Sequence, residues 1–182
     1  MKDLLIIFFT LLCCSCSQGQ KQPDMKMHRV QDSTNQTTEG WYYAKSTEGH
    51  FAVLMPIPFN DFTLTTQDPN IGQVQLYGIG AKSREGIKLS LTEMPYTKKS
   101  RDVNFDDMAD SFKDAQVTDI DKTPYKGYSS LSFSVHSKNS SAFIKYIKTN
   151  TGLLNITVES PFTYENEAEA IAEKIYQSLE IF

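Results

Sequence analysis

The sequence predicts an α+β domain in which helices pack on one twisted antiparallel sheet. Three observations carry this. Several segments beyond Trp41 alternate apolar and polar residues at the strand period of two. Two segments, one from Phe105 and one from Ala168, switch to the helical period. Gly-, Pro- and Asn-containing turns separate these segments at short intervals.

Taken in order, Trp41 to Ala44 is aromatic and strand-like, and Phe51 to Met55 is a second strand that ends at Pro56-Ile57-Pro58. Phe62 to Thr66 is a third. Gln73 to Lys82 and Gly86 to Met94 form a hairpin about Arg84-Glu85-Gly86. In its second arm Ile87, Leu89 and Leu91 share one face. In its first arm Gly78 and Gly80 share a face, as at a bulge or under a close packing partner. Phe105, Met108, Ala109, Phe112 and Ala115 then repeat at helical spacing, with Asn104 as a candidate cap. Three strands follow over 128–137, 142–149 and 153–159, with turns at Asn139-Ser140 and Asn150-Thr151-Gly152. Pro161 breaks the last of them. A closing helix carries the stripe Ala168, Ile171, Ala172, Ile175, Tyr176, Leu179 and Phe182.

The beginning of the chain differs in kind. Lys2 precedes an apolar run of about nine residues, Leu4 to Leu12, of signal-peptide length and far short of the roughly 20 needed to span a bilayer. Cys13, Cys14 and Cys16 follow. This pattern resembles the lipobox of bacterial lipoproteins, in which cleavage precedes a cysteine that becomes lipidated. Cys16, with Ser15 before it, is the favoured attachment site, and Cys14 and Cys13 are the alternatives. The expected organisation is a signal peptide over 1–15, a lipidated cysteine and flexible polar tether over 16–40, and a single domain over 41–182. A coil of about 24 residues averages roughly 25–30 Å end to end, enough to lift the domain off the membrane. With Ser17 rather than aspartate after Cys16, the resemblance implies an outer-membrane lipoprotein of the cell envelope, facing the periplasm or the surface.

Counting excludes several chemistries. All three cysteines lie in the signal region, so processing at Cys16 leaves no free thiol for a nucleophile, a disulfide or a metal site. A net charge of −4 speaks against nucleic acid and against electrostatic adhesion to anionic lipid.

The strand ending in proline at Phe51 to Pro56, the mid-chain helix from Phe105 to Val117 and the strand opening with Gly127-Tyr128 form a familiar order. Phe143 to Tyr146, Leu153 to Val158 and the closing Ser178 to Phe182 complete it. Over 41–182 this resembles the PsbP-like superfamily of α/β/α sandwiches. The resemblance implies a non-catalytic binding or assembly-support module and transfers no functional residue.

The candidate constellations are weak. His28, His50 and His136 show no metal-binding spacing, and His136 reads as a solvated residue ending a polar strand face. The serines from Ser129 to Ser141 lack a nucleophile elbow and read as a small polar face. Asp102, Asp106, Asp107, Asp110 and Asp114 crowd one segment without the order of a calcium loop, and read as a solvated acidic face. Asp119 and Asp121 read the same way. Gly78-x-Gly80 lacks the rest of a phosphate loop. The glycosylation-like triplets at Asn35, Asn139 and Asn155 carry no meaning behind a bacterial signal. Aromatics, at 12%, are the one excess, and Trp41, Tyr42 and Tyr43 are candidates for contact with protein or glycan.

The functional expectation is a lipid-anchored envelope binding or scaffold protein, without catalytic activity, that contacts a protein partner. The alternative is a carrier of a small or lipidic ligand between sheet and helices; an envelope hydrolase ranks below both. No cofactor, metal or nucleic acid is expected, and no ligand-binding residue is assigned.

Overall fold

A computed structural model describes residues 23–68, 72–97, 104–112 and 115–182. Strands dominate. In chain order they are β1 (Asp24–Asp32), β2 (Tyr42–Lys45), β3 (Phe51–Met55), β4 (Phe59–Asp68), β5 (Gly72–Lys82), β6 (Lys88–Pro95), β7 (Gln116–Asp121), β8 (Ser130–His136), β9 (Ser140–Lys148), β10 (Gly152–Pro161) and β11 (Glu180–Ile181). Helix α1 is a single turn, Asp106–Ala109, and α2 spans Glu165–Ser178 behind a 3-10 turn at Phe162–Tyr164.

Eight strands form one antiparallel sheet in the order β1-β4-β5-β6-β10-β9-β8-β7, and three form a second in the order β11-β3-β2. The large sheet is two meanders, β4-β5-β6 and β7-β8-β9-β10, joined where β6 pairs with β10, with β1 added at the edge beside β4. Period-two alternation sends apolar residues to both of its faces. Ile79, Leu89, Leu91, Phe143, Ile147, Leu154, Ile156 and Val158 fill one face, beneath Ala168, Ala172, Ile175 and Tyr176 of α2 and Phe51, Val53 and Met55 of β3. Leu76, Met94, Leu131, Phe133, Ile144, Tyr146 and Leu153 fill the other, beneath Met108, Phe105, Ala109 and Phe112.

The expected α+β sandwich, with its PsbP-like helical layers, is therefore corrected: the protein is mostly β. One face is covered jointly by α2 and a three-stranded sheet. The other is crossed by the connection from β6, at the centre of the sheet, to β7 at its edge. The apolar stripe from Phe105 to Ala115 does pack there, but only one turn is helical, and it starts at Phe105 with no side-chain cap. Asp106, Asp110 and Asp114 would repel at i, i+4 along a longer helix, and aspartate is a poor interior helix former. The closing helix is also shorter than its stripe. Leu179 turns extended with ψ 125°, and β11 then pairs with Phe51 and Ala52. The hydroxyl of Tyr125 lies within hydrogen-bond distance of the carbonyls of Tyr176 and Leu179, and Lys126 donates to Leu179, so two carbonyls at the helix end have partners. Lys126 and Gly127, both at positive φ, make the tight turn that presents these groups.

No bulge interrupts the ladders at Gly78 and Gly80. Gly78 instead lies under the ring of Phe62, and a Cβ there would meet that ring at 2.4 Å.

The tether requires the largest revision after the fold class. Residues Asp24 to Asp32, expected to be flexible, form the edge strand β1 and pair with β4. Arg29 holds it there. Its Nε and Nη2 donate to Oδ2 of Asp61 at 3.1 and 2.8 Å, its Nη1 donates to Asp32, and its Nη2 donates to the carbonyl of Lys45. The guanidinium also lies 5.3 Å from the centre of the Phe59 ring. Asp61 is 0% exposed and accepts further bonds from the amide and hydroxyl of Thr47. A buried carboxylate needs such partners because desolvation otherwise disfavours it by several kcal/mol.

Arg29→Ala is expected to cost about 3 kcal/mol, because it leaves the Asp61 charge buried without its counterion. Adding Asp61→Asn to that variant should recover part of the loss. Denaturant midpoints of the two variants check this. Alkaline stability offers a second test. Burial pushes the phenol of Tyr146 well above its ordinary range, and burial together with the charge of Glu173 does the same to Tyr176. In the unfolded chain both ionise near pH 10, so above that pH the folded state holds more protons and stability falls. Each tyrosine contributes a slope of about 1.4 kcal/mol per pH unit. Tyr146→Phe should make the fall measured between pH 10 and 12 less steep.

Candidate interaction surface

Cys13, Cys14 and Cys16 lie outside the described residues, as do Asp102 and Asp114. The remaining candidates are distributed over the domain rather than gathered.

His28 is on β1, with Nε2 2.9 Å from the hydroxyl of Thr63. The imidazole Nδ1 of His50 lies 3.2 Å from Glu93. Glu93, 2% exposed on β6, also accepts from the His50 amide and the Thr151 hydroxyl, both at 2.6 Å. Its carboxylate thereby ties the turn before β3 to the turn before β10.

His136 is not the solvated residue expected. Its side chain is 26% exposed, its Nδ1 is 2.9 Å from Glu165 at the start of α2, and its Nε2 is 3.0 Å from Thr118. Ser141 lies 3.3 Å from the same Nδ1. Serine, histidine and glutamate thus meet, but in the wrong order for nucleophilic activation. The Ser141 hydroxyl is 1% exposed and donates to Glu165, and that of Thr118 donates to Asp119. A hydroxyl proton already committed to a carboxylate is not the one an imidazole base would remove. The cluster fastens the N-terminal end of α2 to β8 and β9.

Other serines expected to face solvent are buried. Ser130 and Ser134 are 3% and 7% exposed, and Ser130 donates to the carbonyl of Thr123. Asp107 and Asp110 are exposed around α1, and among the described residues no cluster of three metal-ligating side chains forms. Asp119, at φ 54°, falls in the bulge that interrupts β7.

The aromatic trio is occupied. Trp41, Tyr42 and Tyr43 are all half-buried. The ammonium of Lys174 sits 4.4 Å over the Trp41 ring and is held by Glu39, while Tyr43 donates to Glu180. A ring face already covered by a cation is not a free stacking platform.

Sequence reasoning missed Phe162 and Tyr164. They are 59% and 38% exposed on the knuckle between β10 and α2. The knuckle is well fixed. The Phe162 amide donates to the carbonyl of Asn139, and Pro161 abuts the β5–β6 hairpin, where a Cβ on Gly86 would meet it at 3.4 Å. Lys138 and Asn139, in the turn that this bond reaches, are exposed, as are Arg84 and Glu85 in the hairpin that Pro161 abuts. Aromatic anchors inside a polar rim are the usual makings of a protein contact. The sequence hides them: by spacing Phe162 follows the period of Leu154, Ile156 and Val158, and Tyr164 lies four residues before Ala168, so both read as buried positions.

A cleft of about 380 Å³ lies at the end of β5 and β6, lined in part by Val74, Tyr77, Pro95 and Tyr96. It is open and does not lie under α2.

Because Phe162 and Tyr164 contribute little to the core, Phe162→Ser and Tyr164→Ser should each change stability by no more than about 0.5 kcal/mol, as thermal melting will show. No family model matches the chain, and no curated protein matches it.

Proposed function

We propose that this is a lipid-anchored protein of the bacterial cell envelope, held in the outer membrane through Cys16. On this reading it binds a protein partner and has no catalytic role. The observation that carries the partner contact is the solvent-facing pair Phe162 and Tyr164 on a knuckle fixed by the bond from the Phe162 amide to Asn139. Water around two exposed rings is released on contact, and a fixed backbone loses little entropy in the process. Two features agree with the absence of chemistry. The hydroxyls near His136 have their protons committed, and the carboxylates of Asp61 and Glu93 are buried in structural ties.

The register of the sheet gives the surface a direction. β1 begins beside Thr65, at the end of the ladder where β5 starts. β10 leaves the opposite end of the ladder at Pro161. An anchor at Cys16 would enter at one end of the strands while the aromatic knuckle caps the other, which suits a module that reaches from a membrane toward a partner.

A photocrosslinking amino acid at position 162 in intact cells should yield a discrete protein adduct that is lost on Tyr164→Ser. Adducts that are absent, or insensitive to Tyr164, count against this surface. Cys16→Ser should abolish acyl labelling; labelling that persists moves the anchor to Cys14 or Cys13.

A further inference from the structure

We propose that β1 seats the domain directly on the bilayer that holds its anchor, with the side chains of Met25 and Met27 entering the lipid interface. This rests on the lipid-anchor reading and adds a second, non-covalent membrane contact to it.

The length of the leash is the first ground. Strand β1 begins at Asp24, eight residues after Cys16. Whatever their conformation, eight residues span at most about 26–29 Å, and as a coil they average roughly 14–17 Å. A tether running to Gly40 would have averaged nearly twice that. The polar headgroup layer on each side of a bilayer is itself about 5–8 Å deep. The start of β1 is thereby confined close to the lipid surface.

What β1 presents there is the second ground. Met25 and Met27 are 54% and 40% exposed. They stand opposite Leu64 and Phe62 on β4, on the face of the sheet where Leu64 and Leu76 belong to the core. The apolar row of that face thus runs out past the core and ends in two uncovered thioether side chains. Methionine is flexible and polarisable, and it adapts to a surface without fixed shape. Lys26 and Asp24, also exposed, alternate with them and keep the other side of the strand polar.

The edge itself argues for lipid over a second copy of the chain. Register shifts fall between Met27 and Arg29 and between Arg29 and Asp32, and Gln31 takes φ 50°. Bulges of this kind spoil a strand as a template for pairing with another chain. A bilayer needs no such register.

The test uses the mature lipidated chain, reconstituted into vesicles of phosphatidylethanolamine with a minor share of phosphatidylglycerol. Processing removes Cys13 and Cys14, and lipid occupies Cys16. Single Met25→Cys, Met27→Cys and Phe162→Cys variants therefore each offer one thiol for a polarity-sensitive fluorophore. Flotation with the vesicles reports the anchor independently. The expected result is a blue-shifted emission at positions 25 and 27 that nitroxide-bearing lipid chains quench, with the probe at 162 remaining in water. Aqueous emission at 25 and 27 from protein that floats overturns the proposed seat and leaves the anchor standing. Failure to float, together with absent acyl label, overturns both. Ready formation of a disulfide-linked dimer by the Met25→Cys variant assigns the patch to a second copy and also overturns the proposal.

Discussion

The pairing of Arg29 with Asp61 decides what kind of molecule this is. Asp61 is fully buried in the middle of β4, and its charge is tolerable there only because a guanidinium reaches it from outside the domain first read in the sequence. That contact recruits Asp24–Asp32 into the sheet as β1. Recruitment changes the edge of the sheet and shortens the segment that precedes the folded body. Thr47 and the carbonyl of Lys45 join the same cluster, so the small sheet is tied in at the same point. Asp61 couples three elements distant in sequence.

The remaining polar interior works the same way. Glu93 binds two turns, and Glu165 holds His136 and Ser141 against the start of α2. In each case a carboxylate with little exposure sits where separate segments must meet, and backbone amides or hydroxyls satisfy it. Hydrogen bonds to a charged acceptor contribute more than neutral ones, and leaving such an acceptor unpaired is costly. These groups specify which loops come together, while the two apolar faces of the sheet supply most of the driving force.

The legible and illegible parts of the fold divide by range. Ile87, Leu89 and Leu91 announce β6, and Leu131, Phe133 and Val135 announce β8, because apolar residues alternate with polar ones and the period shows through. Turn residues such as Gly86 mark hairpins, since φ +92° favours glycine. Strand β1 was hidden because its stabilisation comes from edge hydrogen bonds and from a carboxylate 32 residues away, neither of which leaves an apolar pattern. The mid-chain stripe identified residues that do pack on the core but not their conformation, since only Asp106–Ala109 is helical. The extended Leu179 was masked by a stripe that continues to Phe182, whose ring is 53% exposed and faces the ammonium of Lys45. The candidate surface at Phe162 and Tyr164 was illegible for a simpler reason: residue type alone does not reveal exposure.

The place of β10 in the sheet has a consequence for biogenesis. It is the last long strand to be synthesised, yet it lies between β6 and β9 at the centre. Met94 and Leu153 become neighbours only after the crossing segment and three further strands have been made. A chain that emerges N-terminus first during synthesis would therefore carry two half-sheets with open inner edges until β10 is made. Such unpaired edges invite misassociation. Long-range closure of this kind is also intrinsically slow, so the open edges persist until the two halves join.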